Sequence, residues 1–269
     1  MNKLISFFVS SLITIIILYL VNNTYKLSKS YEYTYIEYSK TKTLNNNIEK
    51  EVNNLIGSFL GLLSGQQKLT NKNKKINYQD RLIKIKDSIK TNVLFLIILL
   101  FISVSIYFLL NKLIILSFLY IQSIIFLIYG LLSPIFLMYV TQDFASSIII
   151  LQFESNSILS SIEKLFNQNN YFVGGIIFLF SVIFPLFKTI ISFLTLYFNN
   201  INILNKITNI SSKLAKLSMT DIFVLSIFLV YLSPKSDGII KTELEAGFLF
   251  FFAYVIISLF IAVLNKEKL

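Results

Sequence analysis

Apolar residues gather along this chain into runs read at about 4 to 21, 92 to 110, 113 to 140, 171 to 198, 218 to 233 and 247 to 264. At about 1.5 Å per helical residue, runs of this length suit a hydrocarbon core of about 30 Å. The pattern predicts six transmembrane helices, the short fifth one starting inside the amphipathic stretch before it. Between the first two runs the period changes. Leu44, Ile48, Val52, Leu55, Ile56, Phe59 and Leu63 recur at spacings of three and four, as do Leu82, Ile85 and Ile89, which predicts a helical insert over 22 to 91. SGQQKLTNKNKKINYQD reads as the polar turn within it. Pro134 in the third run and Pro185 in the fourth offer helix kinks, since proline removes a backbone donor and crowds the preceding turn. The first run ends LYLVNNTYKLS, without the small residues of a cleavage site, and reads as an uncleaved anchor.

Composition agrees with the runs. Of 269 residues, 55% are hydrophobic and 14% charged, too little charge to cover a soluble domain of this length. The chain has no Cys, His or Trp, which excludes disulfides, thiolate chemistry and imidazole catalysis, and no metal or other cofactor is expected. No phosphate loop or Ser/His/Asp set is present, so no enzyme is expected. The net charge of +10 comes largely from loop lysines beside a bilayer, where anionic headgroups rather than nucleic acid are the nearer partner.

Loop charge orients the bundle. Residues 199 to 217 carry Lys206, Lys213 and Lys216 without an acid, whereas 141 to 170 carry Asp143, Glu154 and Glu163 against Lys164. By the positive-inside rule the first loop is cytoplasmic and the second extracytoplasmic, which leaves both termini cytoplasmic. Residues 22 to 91, with thirteen basic and six acidic side chains, then lie outside. A loop of that length translocates despite its charge. Its tyrosines Tyr25, Tyr31, Tyr33, Tyr35 and Tyr38 suit a membrane interface. Glu243 and Glu245 read as a solvated loop pair, and Gly174-Gly175 as a point of close helix packing.

One cation sits inside a span. In FLFSVIFPLFKTIISFLTLYF, Ser181, Pro185, Lys188, Ser192 and Thr195 are separated by four, three, four and three residues, so they form one helical stripe. An unpaired lysine at mid-bilayer costs about 2.5 to 3.5 kcal/mol on insertion scales, so a partner is expected. The one acid in another span is Asp221, within reach of the lysine's four-carbon stem, and Ser258 lies at a similar depth. Lys188, Asp221, Ser181 and Ser258 are therefore read as an intramembrane polar cluster, working as a transport or proton-relay site. A salt bridge that only fixes register is the alternative, although buried pairs add little net stability.

The run ILSSIEKLFNQNNYFVGGIIFLFSVIFPLFKTIISFL, then KLSMTDIFVLSIFLVYL, then ELEAGFLFFFAYVIIS resembles the paraquat-inducible protein A (PqiA/LetA) family of bacterial inner-membrane proteins. The family joins a Ser and a Pro-x-x-Lys on one helix to Ser-Met-x-Asp-(Val/Ile)-Phe on the next, with an acidic-Gly turn before the last. SPIFLM at 133 to 138 looks like the domain's Pro-x-x-x-Met entry. The resemblance covers about residues 113 to 265 and carries over to Ser181, Lys188 and Asp221, with Ser258 where the family more often has Thr. It implies a tetraspan domain beside a mammalian-cell-entry (MCE) domain protein that forms a periplasmic lipid conduit. Better-known members carry Cys-rich zinc ribbons and two copies of the domain, whereas this chain has no Cys and one copy. Leu217 stands where a Trp often precedes Ser-Met. A single copy implies a homo-oligomer or a second PqiA-like subunit.

The expected architecture is an all-α integral membrane protein. Residues 1 to 112 form a two-helix membrane hairpin with a helical extracytoplasmic insert, and 113 to 269 the PqiA-like four-helix domain. The expected function is passage of phospholipid or similar amphiphiles between the inner membrane and an MCE-type conduit, with proton coupling. The rival is a non-transporting scaffold that positions a partner; an ion channel fits less well, because only one polar stripe is present.

Overall fold

The structure, a computed structural model, describes residues 2–41, 72–144, 147–197 and 240–266. The expected fifth span at 218 to 233, Asp221 and the stripe from Leu44 to Leu63 lie outside the described residues. Among those described, five helices are long and apolar enough to cross a membrane.

Helix α1 (Asn2–Thr41) and helix α2 (Lys72–Leu109) have 40 and 38 residues, so each is a rod of nearly 60 Å at about 1.5 Å per residue, about twice the hydrocarbon thickness. The spans therefore continue as the insert, and α1 passes from apolar to polar sequence without a break. One stripe explains this: Ser10, Thr14, Ile17, Val21, Thr24, Ser28, Tyr31 and Tyr38 are buried at alternating spacings of three and four, with the half-buried Tyr35 in the same register. That 3.5-residue period keeps a single seam against the neighbouring helix. Small and β-branched residues fill the seam where lipid surrounds it, which lets the backbones approach. Beyond the membrane, tyrosine replaces them. Tyr31, Tyr35 and Tyr38 pack with Tyr78, Tyr139 and Phe153, so these rings form an extramembrane core rather than a lipid-facing belt. Tyr35 stacks on Phe153 with 4.7 Å between ring centroids.

Helix α3 (Lys112–Leu132) ends where the third apolar run was expected to bend. Ser133 is extended, at φ −77° and ψ 149°, because the ring of Pro134 disfavours the helical region for the residue before it. Pro134 is thus a stop, not a kink, and Phe136–Val140 leave the span. They open strand β1 (Phe136–Phe144), which pairs antiparallel with β2 (Ser147–Asn156) across a bulge between Val140 and Thr141. Strand β3 (Ile240–Leu244) adds to the other edge of β1, giving the order β2-β1-β3. This small sheet is the departure from an all-helical chain.

Ser157 then caps helix α4 (Ile158–Asn167) in a reciprocal box with Ser160, and Ile158 and Ile162 face inward. Helices α5 (Tyr171–Phe178) and α6 (Phe184–Tyr197) form one span joined by a π turn at Leu179–Ile183. The wide turn lies directly before Pro185, whose ring would crowd the carbonyl one turn back in a regular helix. Gly174 gives room to the ring of Phe166, 2.7 Å from where a Cβ would stand, while Gly175 meets nothing. Helix α7 (Ala246–Lys266) packs along α3. A Cβ on Gly247 would fall 2.4 Å from the carbonyl oxygens of Ser133 and Pro134, and one on Gly130 would reach 2.8 Å from the backbone of Phe251. Both glycines are required by the close α3–α7 approach.

Candidate functional site: a lysine cavity within the bundle

The polar stripe of the fourth span turns inward. Ser181 and Pro185 are buried and Lys188, Ser192 and Thr195 half-buried, whereas Ile183, Phe187, Ile190 and Leu194 lie exposed on the opposite face. Lys188, Thr189 and Ser192 from α6 meet Tyr120 and Ser123 from α3 and Ser258 from α7 around a cavity of about 40 Å³. That space admits a water, which needs only about 10 to 15 Å³ of this measure. Lys188 and Ser258 therefore share one site. Ser181 is seven residues away, on the π turn, and does not line it.

The polar side chains of the cavity are one amine and five hydroxyl-bearing residues, and Ile261 and Ala262 of α7 complete its wall. A hydroxyl both donates and accepts, so such a shell can solvate an ammonium and hand a proton onward, which a hydrocarbon wall cannot. Thr189 is anchored beside it: its Oγ1 donates to the Pro185 carbonyl at 2.8 Å, and the buried Tyr254 hydroxyl donates to the same oxygen at 3.2 Å. Tyr120, Ser123 and Thr189 are absent from the sequence reading. Thr189 falls one residue off the stripe. Ser123 and Tyr120 are three residues apart on α3, a spacing that could have flagged them.

A model of the family described as paraquat-inducible protein A matches residues 116–269, more than half of the chain. The chain belongs to the paraquat-inducible protein A family. Comparisons with curated proteins and with solved structures find no match.

The paraquat-inducible protein A match starts within α3, so α1 and α2 lie outside it, and the polar contacts that tie them to the family domain include two groups. The first is in the bundle: Gln122 of α3 is fully buried, donates from Nε2 to Thr14 at 3.0 Å, and accepts from Ser103 at 2.9 Å. The second lies at the end that carries the sheet. Glu245, which immediately precedes α7, accepts a hydrogen bond from Ser28 of α1 at 3.1 Å and is 8% exposed. Burial pushes its carboxyl up to about 7, and the Glu243 charge adds to this against the Ser28 bond, Lys86 and the Ala246 amide. Glu243 pairs with Lys86 of α2 at 2.6 Å and accepts from Tyr139 of β1 at 3.2 Å. Burial first, and then the Glu243 charge, push the Tyr139 phenol up to about 12. The two glutamates expected to be a solvated loop pair are instead the junction of three elements. Glu245 is held there by a residue 217 positions away, which no local pattern announces.

Proposed function

We propose that this chain is the membrane component of a Pqi-type system that passes phospholipid or similar amphiphiles between the bacterial inner membrane and an MCE-domain partner's periplasmic conduit. In this reading the chain crosses the inner membrane several times with both termini in the cytoplasm. Lys188 and Asp221, with Ser258 alongside and Ser181 further along the same helical stripe, couple proton movement to the lipid step. The observation that carries the reading is the hydroxyl-lined cavity around Lys188 in a span of the family domain. A cation kept in a span at the cost of desolvation marks a working site.

The test is a charge-reversal cycle of Lys188→Asp, Asp221→Lys and the double variant, scored for accumulation in the membrane and for protection of the cell envelope against detergents. Normal accumulation of all three without protection is the expected result. Loss of accumulation in the singles, with both readouts restored in the double, makes the pair structural. That outcome supports the scaffold reading, which the nearly 60 Å rods α1 and α2 favour as a platform beyond the bilayer.

A further inference from the structure

The seam between α1 and the start of α7 closes on a carboxyl. Glu245 takes its hydrogen bond from Ser28, which is itself buried. The Glu245 amide donates to the Ile135 carbonyl at 2.9 Å, and the Gly247 amide donates to the Pro134 carbonyl at 2.8 Å. The backbone on either side of this carboxyl is thus tied to the segment that follows α3. Water that reaches the Glu245 side chain has to come between it and α1.

Charge around Glu245 does not balance among the described residues. From α2 comes one ammonium, Lys86, which Glu243 of β3 already holds at 2.6 Å, and from α7 comes the Ala246 amide. Helix α1 offers Ser28 and the Tyr31 phenol, which burial first, and then the charges of Glu243 and Glu245, keep in the neutral form. Strand β1 offers the Tyr139 phenol, which donates to Glu243 at 3.2 Å. Two carboxylates therefore share one cation, and the more enclosed of them is the one without the ion pair. A carboxylate out of water stays ionised only beside an opposite charge or several donors, so enclosure here favours the protonated acid. Ionisation calls for water instead.

We propose that Glu245 is a proton-operated latch: protonated, it holds the outer half of α1 against the start of α7, and ionised, it admits water and the seam opens around Ser28. Burial, which lifts this carboxyl from about 4.5 to about 7, gives the direction. Opening releases one proton between those values, so the latch is closed on the acid side and the open fraction grows about tenfold per pH unit through the window. The latch joins the hairpin to the family domain. It lies apart from the Lys188 cavity and stands whether or not Lys188 relays protons.

Because the chain has no cysteine, single thiols can report the opening in the full protein held in its membrane. Ser28→Cys keeps a small donor beside Glu245. Tyr33→Cys, on the exposed face of α1, corrects for the reagent and for thiol ionisation. Ile162→Cys, buried on α4, reports any wider unfolding. The rate of reaction with a water-soluble methanethiosulfonate at position 28, relative to position 33, is expected to rise about tenfold per unit from about pH 5 to 7 and to level off above. Glu245→Gln is expected to hold that ratio at its acid value throughout, and position 162 to stay protected at every pH. A ratio that ignores pH, or that keeps its slope in Glu245→Gln, overturns the latch. A rise at 162 parallel to that at 28 makes the event unfolding of the whole chain and overturns it as well. Should Ser28→Cys react freely at every pH, Thr24→Cys, fully buried one turn earlier on the same stripe, repeats the series with Ser28 in place, and a flat profile there overturns the proposal.

Discussion

At the scale of single residues, Glu245 carries a pH dependence whose sign follows from where its proton sits. The unfolded carboxyl titrates in the ordinary range near 4.5, and the folded one near 7. Between those values the native state holds a proton that the unfolded chain has lost, so stability falls as pH rises through this window and is level above it. The full swing is on the order of 3 kcal/mol, since each pKa unit corresponds to about 1.36 kcal/mol. Thermal unfolding in detergent across the window should therefore show a midpoint that drops toward neutral pH. Glu245→Gln, which keeps an acceptor for Ser28 and mimics the protonated acid, should flatten the profile and raise the midpoint at neutral pH. A wild-type midpoint that rises with pH in this window would contradict the burial of that carboxyl.

Elements differ in how much of them the sequence declares, and the difference is physical. A span needs only a run of apolar residues, so five of the six expected spans have counterparts among the described helices. The stripe through Lys188 was legible because helical spacing alone decides which residues share a face. The sheet was not. Phe136–Val140 are as apolar as the span they follow, and only Pro134 separates the two readings. Strand β3 finds its partner about a hundred residues away, beyond any local period. The run Ile148–Leu151 is the nearest local cue, being mostly β-branched and bounded by Ser147 and Gln152. Gln122 was overlooked for a related reason: one amide in an apolar helix says nothing until Thr14 and Ser103 come from two other helices. Its energetic weight is predicted to be small. Hydrogen bonds between membrane helices average about 0.6 kcal/mol, and Thr14 also donates to the Ser10 carbonyl at 2.8 Å, so Gln122→Leu should cost only about 1 kcal/mol. Unfolding in mixed micelles measures this; a loss of several kcal/mol would mean that the triad, not apolar packing, holds the hairpin to the family domain.

Across the whole molecule, the structure sets a condition that loop charges alone could not. Ser28 on Glu245, Lys86 on Glu243 and β1 beside β3 gather the extensions of α1 and α2, the segment after α3 and the approach to α7 at one end of the bundle. These segments must share one side of the membrane. Loop charge places them on one side too, even though residues 22 to 91 are strongly basic, and the contacts make the described parts of that segment, 22–41 and 72–91, members of the same folded head. The absolute side is open to a clean measurement because the chain has no cysteine of its own. Lys84→Cys and Lys164→Cys, both exposed at the sheet end, should react with a membrane-impermeant maleimide in intact spheroplasts, and Lys112→Cys, at the opposite end, only after permeabilisation. Labelling of Lys84→Cys and Lys164→Cys together, in whichever compartment, upholds the single head, whereas opposite labelling of the two breaks it. If both react only after permeabilisation, the sheet faces the cytoplasm, and a periplasmic conduit could not receive lipid from the head that α1, α2 and the sheet build.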